Sequence, residues 1–212
     1  MDEQSERTAL LAALTTEHFV LQTANNSTYA EASARSTLYV MALSSSLVAM
    51  GFVAGSPEVL IPFAAIVLPA VFVLGIFTVA RLVETGLESM HCLKEIARIR
   101  AYYRSLGPAA AQHFSPESGR WPEAAPPALR LGRTPAFFGT TASMIAVINN
   151  VVAGVAIAFL VRFLVSSAPP WAGAASGIAG ALALTWLVYA YQRWRFDEFD
   201  VPAGARAKPE HG

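Results

Sequence analysis

The chain has 212 residues, 54% of them hydrophobic and 14% charged, and its 15 basic and 15 acidic side chains cancel to a net charge of zero. A soluble domain carries about 25% charged residues, and the mean hydropathy here is +0.44, so the composition excludes a large soluble core and points to an integral membrane protein. Zero net charge singles out no polyanionic partner, and a single cysteine, Cys92, excludes an intrachain disulfide.

The opening MDEQSERTALLAAL is acidic and lacks the apolar run of a signal peptide, so the first span is expected to act as its own insertion signal. Residues 1–34 read as a cytoplasmic helix, with Ser5, Asp2 and Glu3 suited to its start. Leu11, Leu14, His18, Leu21, Asn25 and Thr28 recur three and four apart, a heptad-like stripe whose later positions turn polar. Two readings fit it: a partly exposed helix packed on a neighbour, or a self-associating coiled coil.

Arg35 marks the membrane entry, and residues 36–80 form the first transmembrane hairpin. Its first span, Ser36 to Ala54, contains Ser44, Ser45 and Ser46, whose hydroxyls can bond back to helix carbonyls and whose small size allows close helix approach. A turn at Gly55, Ser56 and Pro57 leads into a run with no charge between Glu58 and Arg81, long enough for a spanning helix of about 20 apolar residues. Pro62 lies in its first turn, and Pro69, mid-span, is expected to kink it.

No strong breaker follows, so the same helix is expected to continue as an aqueous extension over 81–105. One stripe of it holds Leu82, Gly86, Met90, Leu93, Ile96 or Ala97, Ile99 or Arg100, and Tyr103; the opposite face carries Glu84, Glu88, Glu95, Arg98 and Arg104. Arg98, Arg100, Tyr102 and Tyr103 are the candidates for cytoplasmic interaction. Residues 106–135 are dense in proline and read as a loop. Residues 136–192 form the second hairpin, with spans at Thr141–Val165 and Trp171–Tyr191 joined by SSAPP, and 193–212 is a polar tail expected to fray.

Orientation follows from the excess of arginine and lysine in cytoplasmic loops. Arg81, Lys94, Arg98, Arg100, Arg104, Arg120, Arg130 and Arg133 lie between spans two and three, Arg35 precedes span one, and Arg193 and Arg195 follow span four. The turns GSPE and SSAPP contain no basic residue, so both termini and the middle segment are expected in the cytoplasm. Tyr39, Phe137, Phe138, Trp186, Tyr189, Tyr191 and Trp194 are then expected near the inner interface, and Trp171 near the outer one.

Ser143, Asn149, Asn150, Gly154 and Arg162 are the pore-lining candidates of span three. Amides at that depth need partners that hydrocarbon does not offer, so this stripe either lines a hydrated path or bonds neighbouring helices. Three readings fit Arg162: snorkelling to the outer interface, pairing with Glu58, or a basic constriction in an oligomeric pore. In span four, Gly173 and Gly177, and Ser176 and Gly180, are each four apart, a small-residue face suited to helix packing. His18, His91, His113 and His211 are scattered, and no CxxC, HExxH, GxSxG, P-loop or dinucleotide glycine pattern is present, so neither a metal, a cofactor nor catalysis is expected. Cys92 is expected to be a buried small hydrophobe. The basic run from Lys94 to Arg104 suits anionic headgroups better than nucleic acid.

The run from Glu95 to Ala111, following a span and the junction Arg81, Glu84, Thr85, Gly86, resembles a set of uncharacterised actinobacterial four-span membrane proteins. The resemblance covers the first half of the chain and implies a bacterial plasma membrane location but no activity. A looser similarity connects the chain to two-span membrane effectors of nucleotide-signalling defence systems, thought to perforate membranes after oligomerising; the second hairpin here departs from their pattern. The expectation is an all-α integral membrane protein of four transmembrane helices in two hairpins, with cytoplasmic amphipathic helices. It works as an oligomeric channel or pore, or as a membrane-anchored module for a cytoplasmic protein partner, with the lipid bilayer and further copies of itself as its other partners.

Overall fold

The computed structural model describes residues 2–114, 139–165, 167 and 169–200, apart from the side chains of 170 and 198–200. These residues are all-α: α1 (Glu3–Val53), α2 (Pro57–Ser105), α3 (Pro108–His113), α4 (Thr141–Leu164) and α5 (Pro170–Asp200). All but α3 are long and apolar enough to cross a membrane, so the chain is a multi-pass membrane protein. Most of the proline-rich segment, Phe137, Phe138, His211 and the tail beyond residue 200 lie outside the described residues.

Helix limits follow local chemistry. Between Glu3 and Met50 there is neither glycine nor proline, and α1 runs unbroken through Arg35, the expected boundary between aqueous helix and span. Pro57 then opens α2, where its missing N–H is one the first turn leaves unbonded anyway. The helix α2 continues through Pro62 and Pro69 to Ser105, one element as the uninterrupted sequence implies. Gly107, at φ +157°, takes a backbone conformation open mainly to glycine, and Pro108 starts α3, so a helical turn opens the segment expected to be a loop from residue 106. The α4 N-terminus is capped by Thr140, whose Oγ1 accepts from Ser143 N at 3.3 Å.

The chain divides into two packed units. One comprises Met1–Ser33 with Glu84–Phe137. Here α1 and α2 run antiparallel, because Thr15 meets Tyr103 while Asn25, further along α1, meets Ser89, earlier in α2. The inward stripe of α1 is the one its spacing predicts, from Leu11 through Thr28. The inward stripe of α2 matches its expected one in part. Ile96 and Ile99 are buried as expected, but between them and Leu82 the buried residues are Thr85, Ser89 and Cys92, whereas Gly86, Met90 and Leu93 sit half-buried at the edge. The observed stripe alternates steps of four and three, the heptad seam of two coiled helices.

The other unit comprises Ala34–Val83 with Phe138–Gly212. On the inward face of its part of α2 lie Ala64, Leu68, Val71, Gly75, Thr78 and Leu82, again at heptad spacing. Leu38, Phe52, Ile66, Phe77 and Phe163 are exposed, an arrangement stable where the solvent is hydrocarbon. The helices α4 and α5 pack in opposite directions, with Ser143 on Gln192, Asn150 on Thr185, and Gly154 on Gly177. A β-carbon on Gly154 would fall 2.6 Å from Gly177 O, and one on Gly177 would fall 2.5 Å from Gly154 O. The two backbones therefore touch, the contact that drives helix association where no hydrophobic effect operates. Gly177→Leu should separate α4 from α5 at an overpacking cost of about 1–3 kcal/mol, read as a lower midpoint of heat-induced aggregation in detergent, while Ala179→Leu on the exposed face should leave that midpoint unchanged.

Candidate functional site

The span-three polar residues come together with other helices rather than with one another. Asn149 is buried, and its Nδ2 donates to Phe72 O of α2 at 3.2 Å. Its Oδ1 accepts from the hydroxyl of Tyr39 on α1 at 3.2 Å, and the Tyr39 side chain is 0% exposed. The amide lies in the notch left by Gly75, where a β-carbon would overlap it. One side chain on α4 thus fastens α1 and α2.

Asn150 lies about 100° further round the helix and does the corresponding work toward α5. Its Nδ2 donates to Thr185 Oγ1 of α5 at 3.1 Å, and the Thr185 hydroxyl donates its own proton to Ala181 O at 2.8 Å. One turn below Gly154, Asn150 continues the Gly154–Gly177 contact. Ser143, two turns below Asn150, donates from Oγ to Gln192 Oε1 at 3.0 Å. The Gln192 side chain is 2% exposed, and its Nε2 meets no acceptor among the described residues.

Arg162 stands apart from this group. It occupies the last turn of α4, where a cation is favoured by the carbonyl end of the helix. Its stem carbons lie against Gly173, where a β-carbon would come within 2.8 Å of Cγ. Gly177 faces Gly154 and Ala158, Gly180 faces Ile157, and the Ser176 hydroxyl bonds within its own helix to Ala172 O. Ser46 likewise donates to Ala42 O at 2.7 Å.

Four members of this arrangement are not among the residues that the sequence pattern singles out for the site: Tyr39, Gly75, Thr185 and Gln192. Tyr39, expected among the headgroup-level aromatics, is enclosed by protein. Thr185 and Gln192 carry a usable signal: from Gly173, steps of four through Gly177, Ala181 and Thr185, then one of seven to Gln192, trace a single face of α5.

In the other unit, the four cytoplasmic candidates divide. Arg98 is 82% exposed and pairs with Glu95 at 3.5 Å, a solvated contact of little energetic weight. Tyr103 holds α1, its hydroxyl 3.3 Å from Thr15 Oγ1, and its ring lies 5.4 Å from that of Phe114. Tyr102 stands beside Tyr103 at 6.4 Å between ring centroids. Arg100 turns inward toward His18, with Arg100 Nε and His18 Nδ1 both buried without a hydrogen bond among the described residues. Burial, reinforced by the Arg100 charge, lowers the pKa of His18 from its usual 6.5. Ser89 Oγ donates to Asn25 Oδ1 at 2.7 Å inside the same seam. Cys92 is buried, and desolvation, with Glu88 adding to it, pushes its thiol up, away from the reactive thiolate. Among the described residues, no three histidine, cysteine or carboxylate side chains gather into a metal-binding group.

No family model, curated protein or solved structure matches this chain.

Two measurements test these contacts. Asn149→Leu removes both interhelical bonds and forces branched carbon into the Gly75 notch, whereas Tyr39→Phe removes one bond; interhelical bonds in membranes average about 0.6 and reach about 1.7 kcal/mol. The thermal midpoint in detergent should fall further for Asn149→Leu than for Tyr39→Phe, and equal falls would show that Phe72 and Gly75 contribute nothing. For His18, the folded pKa lies below the unfolded one. Above pH 6.5 both states are neutral; as pH falls below that, the unfolded chain takes up the proton first and the folded packing loses stability. Titrating the thermal midpoint from about pH 7.5 to about pH 5 should show this decline, and His18→Leu should flatten it.

Proposed function

We propose that the chain is a membrane-anchored interaction module. The four spans hold it in the bilayer, and the unit built from Met1–Ser33 and Glu84–Phe137 presents a helical surface to a cytoplasmic protein. The observation that carries this reading is the use made of the span-three stripe: Ser143, Asn149 and Asn150 are buried, and each is hydrogen-bonded to another helix of the same chain. A wet path along them would require each of those bonds to be exchanged for a bond to water and α4 to part from the helices it is fastened to. Gly154, the fourth member, is closed by Gly177.

The docking face lies on α2, where Glu88, His91, Lys94 and Arg98 recur on the exposed side. Their mixed charge suits a protein surface of complementary pattern better than a polyanion. In this reading both termini lie in the cytoplasm of a bacterial cell, the membrane is its plasma membrane, and the chain performs no catalysis of its own.

The test is reconstitution of the purified protein into vesicles loaded with a self-quenching dye and with a cation-sensitive dye. Wild-type protein should give neither release nor ion flux above protein-free vesicles. Flux that disappears in Asn150→Leu or Arg162→Gln would sink this reading and restore the oligomeric pore. In cells, charge reversal at Lys94 and Arg98 should remove a bound cytoplasmic protein while membrane insertion persists.

A further inference from the structure

The first turn of α4 meets α5 through a chain of polar groups that pass their protons one way. Thr140 Oγ1 donates to Ser143 Oγ at 3.0 Å, and Ser143 Oγ donates to Gln192 Oε1 at 3.0 Å. The chain ends on Gln192. Its carboxamide oxygen is satisfied, and its two N–H bonds still need an acceptor. Gln192 is 2% exposed, yet its Nε2 meets no acceptor among the described residues. A buried donor in that condition is costly and uncommon in native proteins. A carboxamide nitrogen lies beside its oxygen, so with Oε1 held on Ser143, Nε2 stands over the same first turn of α4.

That turn has further donors. The first N–H groups of a helix lack intrahelical partners. Thr140 takes two of them, Ser143 N on its Oγ1 and Met144 N on its carbonyl, which leaves the N–H groups of Thr141 and Ala142 outside the cap. The positive end of the helix dipole adds to them. Residues 139–145 and 189–195 contain no carboxylate, and Arg193 and Arg195 lie within one turn of Gln192. Gly139 is exposed and Thr140 half-buried, so the turn opens outward. Beside Gln192 stand Tyr191 and Trp194, 6.2 Å apart between ring centroids, and Trp194 is 60% exposed. Aromatic residues of this kind collect at the headgroup layer of a bilayer. All of these residues belong to one packed unit.

We propose that the first turn of α4 and Gln192 form a binding site for a phosphate group, carried by a lipid headgroup or taken up as the free ion. One phosphate oxygen accepts from Gln192 Nε2 and from the Thr141 and Ala142 N–H groups. The amide turns to it about a last torsion that has no sharp wells. The other oxygens stay outside, past Gly139 and Thr140, in the field of Arg193 and Arg195. Donors without a nearby carboxylate select an anion, and the headgroup level of the site is where phosphate is most concentrated in a membrane. The inference goes beyond the anchoring role and does not depend on it, since it uses neither the docking face of α2 nor the amides Asn149 and Asn150.

The test follows the Gln192 side-chain amide by NMR in isotope-labelled, full-length protein in detergent. Three probes are titrated: phosphatidylglycerol, diacylglycerol with the same acyl chains, and inorganic phosphate. The Gln192 amide signals should move with phosphatidylglycerol, with inorganic phosphate, or with both, and stay in place with diacylglycerol. Movement with phosphatidylglycerol alone assigns the site to a lipid headgroup, and movement with inorganic phosphate assigns it to the free ion as well. No movement with either phosphate probe, or equal movement with diacylglycerol, overturns the proposal. The apparent affinity, read from the thermal midpoint against probe concentration, should be at least about ten-fold weaker in Gln192→Met, the weight of one hydrogen bond to a charged acceptor. Ser143→Ala breaks the same interhelical bond but keeps the amide, so it should weaken binding less; equal losses overturn the proposal. Should Gln192→Met fail to fold, the wild-type amide signals still decide. No readout involves vesicle flux or a cytoplasmic partner, so failure here leaves the anchoring role standing.

Discussion

An amide inside a bilayer must find its hydrogen bonds within protein, and the membrane unit of this chain is organised by that demand. Asn149 has three neighbours that answer it: the Tyr39 hydroxyl, the Phe72 carbonyl, and the space over Gly75 that lets the side chain reach both. Had Gly75 carried a β-carbon, the amide would have been pushed off the α2 backbone. Had residue 39 been phenylalanine, the amide oxygen would have lost its donor. Because Asn150 faces away from Asn149 by the pitch of the helix, α4 binds α5 with the next residue in the chain. Two adjacent amides therefore make α4 the element to which the other spans are fastened.

Between α4 and α5 the main attraction is of another kind. Apolar side chains gain nothing by leaving lipid for protein, so close backbone contact has to hold the helices together. Gly154 and Gly177 provide it reciprocally, each filling the space the other lacks. Thr185 and Gln192 then settle polar groups further along the same face, and the Thr185 hydroxyl serves both its own helix and Asn150. In the other unit Ile96 and Ile99 are buried, and the polar members of the seam set register: the Ser89–Asn25 bond and the Thr15–Tyr103 contact are satisfied at one alignment of α1 against α2.

Some of these features are plain in the sequence and others are hidden there. Unbroken apolar length makes the spans plain, and large leucines mark the inward stripe of α1. On α2 the spacing misleads over one stretch: it points to Gly86, Met90 and Leu93, but Thr85, Ser89 and Cys92 are buried instead, on a seam that repeats at 3.5 residues per turn. The span-three stripe is legible as polar and at the right depth. Whether it faces a hydrated path or other helices depends on Tyr39, Phe72 and Thr185, residues far away in the chain; Thr185 shares a readable face of α5, but nothing in the local pattern of Tyr39 or Phe72 ties them to Asn149.

Length, apolar composition and the absence of breakers thus determined by themselves that the protein is helical and crosses a membrane several times, because backbone hydrogen bonds within lipid leave a segment of that kind little other choice. Periodicity added which residues share a face. Only the tertiary structure decided which faces meet. A hydrogen bond or a backbone contact belongs to a pair of residues, and here the pairs are widely separated: Tyr39 with Asn149, Asn25 with Ser89, Ser143 with Gln192. No one-dimensional spacing specifies such a pair. It arises when the folded chain brings a donor and an acceptor to the same depth, and the cost of leaving either unpaired holds them together.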